Sequence, residues 1–418
     1  MLDYKLLILT FLIILFGIKK LFDVIQIMNK KIICMIIICM LLIINFSSIL
    51  TVGKNNTTNT KSILSSRYNL GTIDESMHQN KIFEMQEWWY YNIYFNNETS
   101  QLYNWSIVIS FLVTSKMSSL KLILYDEKNK SYDGSIIKNP DSFKSKGSGV
   151  DICFNNISFA NGKYPNWHVY AESKEENNSR IIANLTFIAN SLPMWILKNS
   201  GHNRSNSYFG YYCIMNCIAY GSISLNGTIY NVTGLGYHDH TWAPINLKIP
   251  KFFNKKNKQI MNKNRAIDIY NSWDWLCIHF KNGWDMFIGK VYPKKRNDFT
   301  KYMPGILCFT PNGKKLYESR IFLLEYKEYN TFENSNISHP TKIHIKAFIL
   351  NTRVSEIFKG PILLDFYYEA INIQEELFGN PPNWGLWQSQ GKTYGFAKNL
   401  RKTFQLDGWA IVETTNSI

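Results

Sequence analysis

The chain has 418 residues, 45% hydrophobic, 18% charged and 15% aromatic, and 46 basic against 31 acidic side chains give a formal net charge of +15. Its 25 Tyr, 26 Phe and 12 Trp exclude a solvated, disordered coil for the bulk of the chain. Long apolar runs occur only in roughly the first fifty residues, which excludes a multi-span membrane protein. The length fits about two to three domains, and part of the basicity follows from a heavy use of Lys alongside Ile and Asn, as in AT-rich coding sequence.

Two apolar stretches open the chain, residues 6–18 and 32–52. The second has the length of about 20 residues that a bilayer requires, and Lys30 and Lys31 precede it as the basic flank of a signal peptide or signal anchor. Met28 is an alternative start. The expected product is membrane-anchored or secreted, with the bulk of the chain extracytoplasmic and an uncleaved anchor preferred. Asn-x-Ser/Thr sequons at Asn97, Asn104, Asn184, Asn226 and Asn231 are compatible with export. Residues 53–84 are polar and read as a linker.

From Glu87 onward the pattern is short strands punctuated by turns. Residues 218–225 and 228–232 flank Asn226-Gly227, a preferred hairpin turn. Residues 273–280 and 284–291 flank Asn282-Gly283, and residues 306–310 and 315–324 flank Asn312-Gly313. One helix candidate stands out, residues 372–378, beside Pro381-Pro382. Many short strands joined by tight turns predict an all-β protein of barrels or sandwiches. Two β domains, 85–247 and 266–418, are expected on either side of a basic stretch, residues 248–265. That stretch carries Lys248, Lys251, Lys255, Lys256, Lys258, Lys263 and Arg265. A like-charge run of this kind reads as a solvated linker or as attraction to anionic lipid headgroups. No nucleic-acid module is visible, and nucleic acid is not an expected partner. Cys34 and Cys39 lie in the apolar segment, and the five other cysteines show no framework spacing. Cys213 and Cys217 on one strand stand about 13 Å apart, too far for a disulfide.

Three motifs combine acids with aromatics. In Glu87-Trp88-Trp89-Tyr90-Tyr91, strand alternation puts Glu87, Trp89 and Tyr91 on one face. In the segment from Gly234 to Trp242, His238, His240 and Trp242 share a face, with Tyr237, Asp239 and Thr241 on the other. Two such histidines can share a metal if a third ligand such as His279 approaches. The expectation is nevertheless that no metal is bound. In the run from Ser272 to Phe280, Asp274 shares a face with Leu276, Ile278 and Phe280. A carboxyl group there is either paired to a cation or desolvated and held neutral as a proton donor.

In order and spacing these motifs resemble the carotenoid 1,2-hydratase (hydroxyneurosporene synthase)/AttH family, over roughly residues 85 to 418. The matching residues are the Glu-Trp-Trp-Tyr opening, the Gly-x-Gly-Tyr-His-Asp-His-x-Trp segment, and the Trp-Asp-Trp strand. Gly395-Phe396 and Gly408 to Glu413 resemble the family's closing strands. Thr241 and Ala243 depart from the Asn and Gly common in relatives. The resemblance implies two lipocalin-like β-barrels packed together, an apolar isoprenoid or lipid ligand, and no redox cofactor. It implies addition of water to an isoprenoid double bond, with Asp274, Asp239, His240 and Glu87 as the candidate acid–base residues.

That reaction needs a proton delivered to carbon and a tertiary cation sheltered until water captures it. On this reading Asp274 is the proton donor, with Asp239 as second choice, and His240 positions water. Trp242, Trp273, Trp275, Tyr237 and Trp89 line the substrate, since each aromatic face steadies a cation by about 0.5–2 kcal/mol. The competing expectation is a non-catalytic lipid- or isoprenoid-binding protein of the same fold.

Overall fold

The computed structural model describes residues 70–78, 85–128, 130–173, 180–197, 210–244, 272–292, 305–311, 313, 317–320, 322–331, 338–349, 361–378 and 384–417. The two apolar N-terminal stretches and the basic stretch 248–265 lie outside them. Among the described residues no helix is long and apolar enough to cross a membrane.

The chain builds two antiparallel sheets, and in each the first strand pairs with the last long one. The first sheet begins with β1 (Met85–Tyr94), β2 (Ser106–Thr114), β3 (Ser118–Tyr125), β4 (Ser131–Asp133), β5 (Ile136–Lys138) and β6 (Phe143–Ser145). It continues with β7 (Val150–Phe154), β8 (Ser158–Lys163), β9 (Asn166–Glu172), β10 (Ile181–Ala189) and β11 (Met194–Leu197). A long hairpin closes it, β12 (Gly210–Leu225) with β13 (Thr228–Pro244). Its order is β4-β3-β2-β1-β13-β12-β10-β9-β8-β7-β6, with β5 on β3 and β11 on β12. The sheet curls until β3 lies against β7 and β9.

The second sheet comprises β14 (Ser272–Phe280), β15 (Asp285–Tyr292), β16 (Gly305–Thr310), β17 (Tyr317–Ser319), β18 (Phe322–Thr331) and β19 (Ser338–Ile349). Its remaining strands are β20 (Ile362–Phe378), β21 (Trp384–Lys398), β22 (Thr403–Gln405) and β23 (Gly408–Ser417). Its order is β17-β16-β15-β14-β23-β21-β20-β19-β18, with β22 on β21, and β17 approaches β19 to curl this sheet as well. The protein is therefore all-β, two lipocalin-like barrels packed together.

Local chemistry explains the turns. Asn226 and Gly227 both have positive φ, 51° and 91°, the left-handed pair that a two-residue hairpin loop requires. Gly283 supplies a φ of 80° in the β14–β15 turn, where Trp284 N–H donates to Asn282 Oδ1 at 3.1 Å. One expectation fails: residues 372–378 are strand, not helix. They pair residue by residue with β21, from Asn372 opposite Gln390 to Phe378 opposite Trp384. Pairing with the next strand overrides the local helix preference of a Gln-Glu-Glu-Leu run. Residues 70–78, at the end of the stretch read as linker, carry a helical turn, α1 (Thr72–Glu75), with Asp74 and Glu75 buried.

Alternation divides most of the buried side chains into three compartments, with a smaller cluster of Trp195, Tyr212 and Trp242 beside them. One apolar core fills the first sheet's interior, from Trp89, Phe111, Trp167 and Phe187 among others. A second fills the other sheet, including Leu276, Ile278 and Phe366. A third lies where the sheets pack together and draws on both, with Tyr90, Cys213 and Tyr237 meeting Trp275, Phe287 and Trp409. No disulfide joins the five cysteines among the described residues.

Candidate functional site

Closure of the first sheet makes the Glu-Trp-Trp-Tyr strand the direct partner of the His-Asp-His strand. Glu87 stands opposite Trp242, Trp89 opposite His240, and Tyr91 opposite His238. These six side chains share the interior face. Trp89 stacks on His240 at 4.5 Å between ring centroids, and Tyr91 on His238 at 4.4 Å. Gly210, the register partner of Trp242 on β12, leaves room for the indole: a Cβ there would come within 2.1 Å of the ring.

Residues 70–78 complete this interior cluster. His78 stacks on Trp242 with centroids 3.7 Å apart. Glu87, 1% exposed, gathers three polar contacts from two histidines. The backbone N–H of His78 donates to Oε2 at 2.9 Å, His78 Nδ1 lies 2.9 Å from Oε1, and His240 Nε2 lies 2.7 Å from the same oxygen. The imidazole contacts hold the Glu87 carboxyl below its ordinary range against a burial effect that acts to raise it. His238 accepts from Tyr212 Oη at Nε2 (3.4 Å) and donates through Nδ1 to the Tyr90 carbonyl (3.1 Å). Burial pushes its pKa down to about 3, so the ring is neutral. Glu75 accepts from Trp167 Nε1 at 2.9 Å and from Tyr164 N–H at 3.0 Å. Burial still pushes its carboxyl up to about 7.

The other face of the same two strands meets the second sheet. Tyr90 stands opposite Asp239, and Asn92 opposite Tyr237. Asp239 Oδ2 accepts from Tyr237 Oη at 2.8 Å and from Tyr211 Oη at 3.1 Å. Tyr211 Oη in turn accepts from Trp275 Nε1 at 2.6 Å, across the packing of the two sheets. Tyr90 and Tyr237 each meet the Trp275 ring edge-on, at 5.3 and 5.2 Å. Asp239 Oδ1 is buried with no hydrogen-bond partner among the described residues. Burial outweighs the phenol hydrogen bonds and pushes the Asp239 carboxyl up to about 8.

Asp274 occupies the second sheet's own compartment. It faces the second sheet's interior beside Leu276 and Ile278, with the Tyr326 hydroxyl donating to its carboxylate. Lys290, also buried, stands opposite it on β15. Trp273, half-buried at the packing of the two sheets, donates from Nε1 to Glu413 at 2.8 Å.

The nine residues singled out in the sequence thus fall into three groups. Glu87, His240, Trp242 and Trp89 meet inside the first sheet. Asp239, Tyr237, Trp275 and Trp273 belong to the packing between the sheets, and Asp274 is alone inside the second. His240 and Asp239 are chain neighbours pointing to opposite sides of β13. His279, the candidate third metal ligand, lies on β14 and donates to Asp285 at 2.7 Å. Sequence reasoning missed His78, Glu75 and Tyr211, which reach these groups by long-range packing and carry no local motif.

No family model matches the chain, and no curated protein matches it in sequence. Solved structures do. A protein assigned as AttH from Nitrosomonas europaea superposes with a TM-score of 0.54 at 12% identity, over 82% of this chain and 95% of that one. Kievitone hydratase from Nectria haematococca gives 0.52 at 11% identity, over 82% and 92%. The chain shares their fold.

Proposed function

We propose that the protein is a hydratase of the hydro-lyase class. It adds water to an isolated, branched double bond of an apolar isoprenoid- or carotenoid-type substrate, with Asp239 as the proton donor. The observation that carries this reading is the hydrogen bonding of Asp239. Two phenols occupy Oδ2, so the carboxylic proton resides on Oδ1, which has no protein acceptor among the described residues. A buried acid whose proton points at no partner is arranged to give that proton away.

In the reaction, the Oδ1 proton transfers to the less substituted alkene carbon, and the π pair forms the new C–H bond. The tertiary cation is steadied by the rings of Tyr90 and Trp275, each by about 0.5–2 kcal/mol. The hydroxyls of Tyr237 and Tyr211 stabilise the carboxylate left behind. Water adds to the cation, and its surplus proton returns to Asp239. Hydration is redox-neutral and requires no electron carrier. This assignment moves the donor from Asp274 to Asp239, because Asp239 has an aromatic shell on both sides of the packing whereas Asp274 faces Lys290. The fold shared with kievitone hydratase, a hydratase by name, supports the same class of reaction. We also propose that the apolar stretches 6–18 and 32–52 anchor the chain, with the barrels extracytoplasmic, so that substrate arrives from the bilayer.

The test is incubation of the detergent-purified full chain with a polyprenoid panel in isotopically labelled water, followed by mass spectrometry of the lipids. A product heavier by one labelled water is expected, and Asp239→Asn should lower its rate by about 100-fold or more while ligand still binds. Binding with no hydrate in any pairing would instead make the protein a non-catalytic lipid-binding barrel. Full activity in Asp239→Asn would remove Asp239 from the reaction.

A further inference from the structure

The hydrogen bonds around Glu87 place one shared proton between its carboxyl group and the His240 ring, with a second imidazole on the same oxygen. His240 Nδ1 lies 3.0 Å from the carbonyl oxygen of Asp74, and Nε2 lies 2.7 Å from Glu87 Oε1. A neutral imidazole offers one N–H and one lone pair, yet both of these neighbours are acceptors. The carbonyl has no proton to give, so Nδ1–H belongs to it, and Nε2 must present either a second proton or a lone pair to the carboxylate. The His78 backbone N–H, donating to Glu87 Oε2, favours the carboxylate as an anion. His240 and Glu87 are both fully enclosed, so no solvent reaches the contact between them. His78 adds a second ring on the same oxygen, and its Nε2 is buried without a partner among the described residues. Two imidazole nitrogens and a carboxylate oxygen thus converge on one enclosed position, a donor set that a metal ion can take.

We propose that His78 Nδ1, a Glu87 carboxylate oxygen and His240 Nε2 bind a divalent cation of the zinc type inside the first sheet. The three ligand atoms lie within 4.8 Å of one another. Two imidazoles with one carboxylate suit a borderline metal rather than Mg2+ or Ca2+, which favour all-oxygen sets. An ion about 2.0–2.2 Å from each ligand places tetrahedral neighbours about 3.3 Å apart, so the present contacts widen by roughly half an ångström.

The surroundings match what a metal-bound histidine requires. The Asp74 carbonyl fixes the His240 tautomer with Nε2 as ligand. Trp89 and Trp242 stack on His240 and His78 and hold both rings in plane. On binding, the one proton shared between His240 Nε2 and Glu87 Oε1 leaves to solvent, and the His78 proton moves from Nδ1 to Nε2. The fourth position is left to water or another small ligand. Because His78 belongs to residues 70–78, the ion would tie that segment to β1 and β13. The site is independent of the proposed hydration, since Asp239 faces the other side of β13.

The experiment uses the detergent-purified full chain, stripped with chelator and dialysed against Zn2+, with Co2+ as a spectroscopic probe. One tightly held Zn2+ per chain is expected, with the visible d–d bands of a four-coordinate site when Co2+ replaces it. His78→Gln and His240→Gln should each weaken Zn2+ binding by more than the roughly 10–100-fold that an outer-shell partner carries. His168→Gln, at a half-buried histidine paired with Asn184 outside the cluster, should change nothing. The proposal is overturned if no Zn2+ is retained, or if retention is the same in His78→Gln and His240→Gln as in the wild type. Should either variant fail to fold, the wild-type cobalt spectrum decides: four-coordinate bands support the site, and the spectrum of hydrated Co2+ overturns it.

Discussion

Glu75 is a buried acid whose replacement should stabilise the protein only above a particular pH. It sits on α1 at 1% exposure, and burial raises its carboxyl from 4.5 to about 7. The folded state therefore holds the Glu75 proton more tightly than the unfolded state does. Below about pH 4.5 both states carry the proton, and the group contributes no penalty. As pH rises from about 4.5 to about 7 the unfolded chain gives up this proton while the folded carboxyl keeps it, so stability falls across that interval and levels off above it. A difference of about 2.5 units at about 1.4 kcal/mol per unit corresponds to roughly 3 kcal/mol lost over that window.

Glu75→Gln removes this penalty while keeping most of the geometry. The amide oxygen can stay on Trp167 Nε1 and Tyr164 N–H, the two donors that Oε1 now accepts from. The amide NH2 replaces an oxygen 3.1 Å from the same Tyr164 N–H, a mismatch costing about 1 kcal/mol. Near pH 5 the variant should be equal to the wild type or about 1 kcal/mol weaker. Near pH 8.5 it should be about 2 kcal/mol more stable. The assay is urea unfolding by tryptophan fluorescence of both proteins across this range. Parallel stability curves, or a gap that closes as pH rises, would refute the claim that Glu75 is desolvated.

Two further substitutions test the packing. Gly210→Ala drives a methyl group into the Trp242 indole and should cost at least the about 1–3 kcal/mol of an overpacked core, read as a lower thermal midpoint. Asn216→Ala removes the donor 2.9 Å from Asp285 Oδ2, a bond that joins the two sheets. It should cost about 1–3 kcal/mol through the buried carboxylate oxygen it leaves unsatisfied. A midpoint equal to wild type would show that water replaces the bond.

What the sequence made legible was periodicity. Period-two alternation correctly separated His238, His240 and Trp242 from Tyr237 and Asp239, and put Asp274 with Leu276, Ile278 and Phe280. Asn226-Gly227 marked a hairpin because its backbone angles are a local property. Residues 372–378 misled for the complementary reason: their strand state comes from pairing with β21, which the helix preference of the run itself does not show. His78 and Glu75 were illegible because a short polar stretch gives no sign that a barrel interior will receive it.

Alternation also explains why a motif read as one site becomes two. The segment from Tyr237 to Trp242 is a single strand with a filled interior on one side and a second sheet on the other. Each step along it crosses between compartments. Closing the first sheet through β1 and β13 sends Glu87 to the histidines and Tyr90 to Asp239, so the Glu-Trp-Trp-Tyr motif is divided in the same way. Closing the second through β14 and β23 sends Trp275 towards Asp239 and Asp274 away from it. Residues adjacent in the sequence thus serve different chemistries, and the residues that share a chemistry are those two apart on one strand or opposite each other across a pair. A chemical role proposed for His240 has to be built from Glu87, His78 and Trp89, and one for Asp239 from Tyr211, Tyr237 and Trp275.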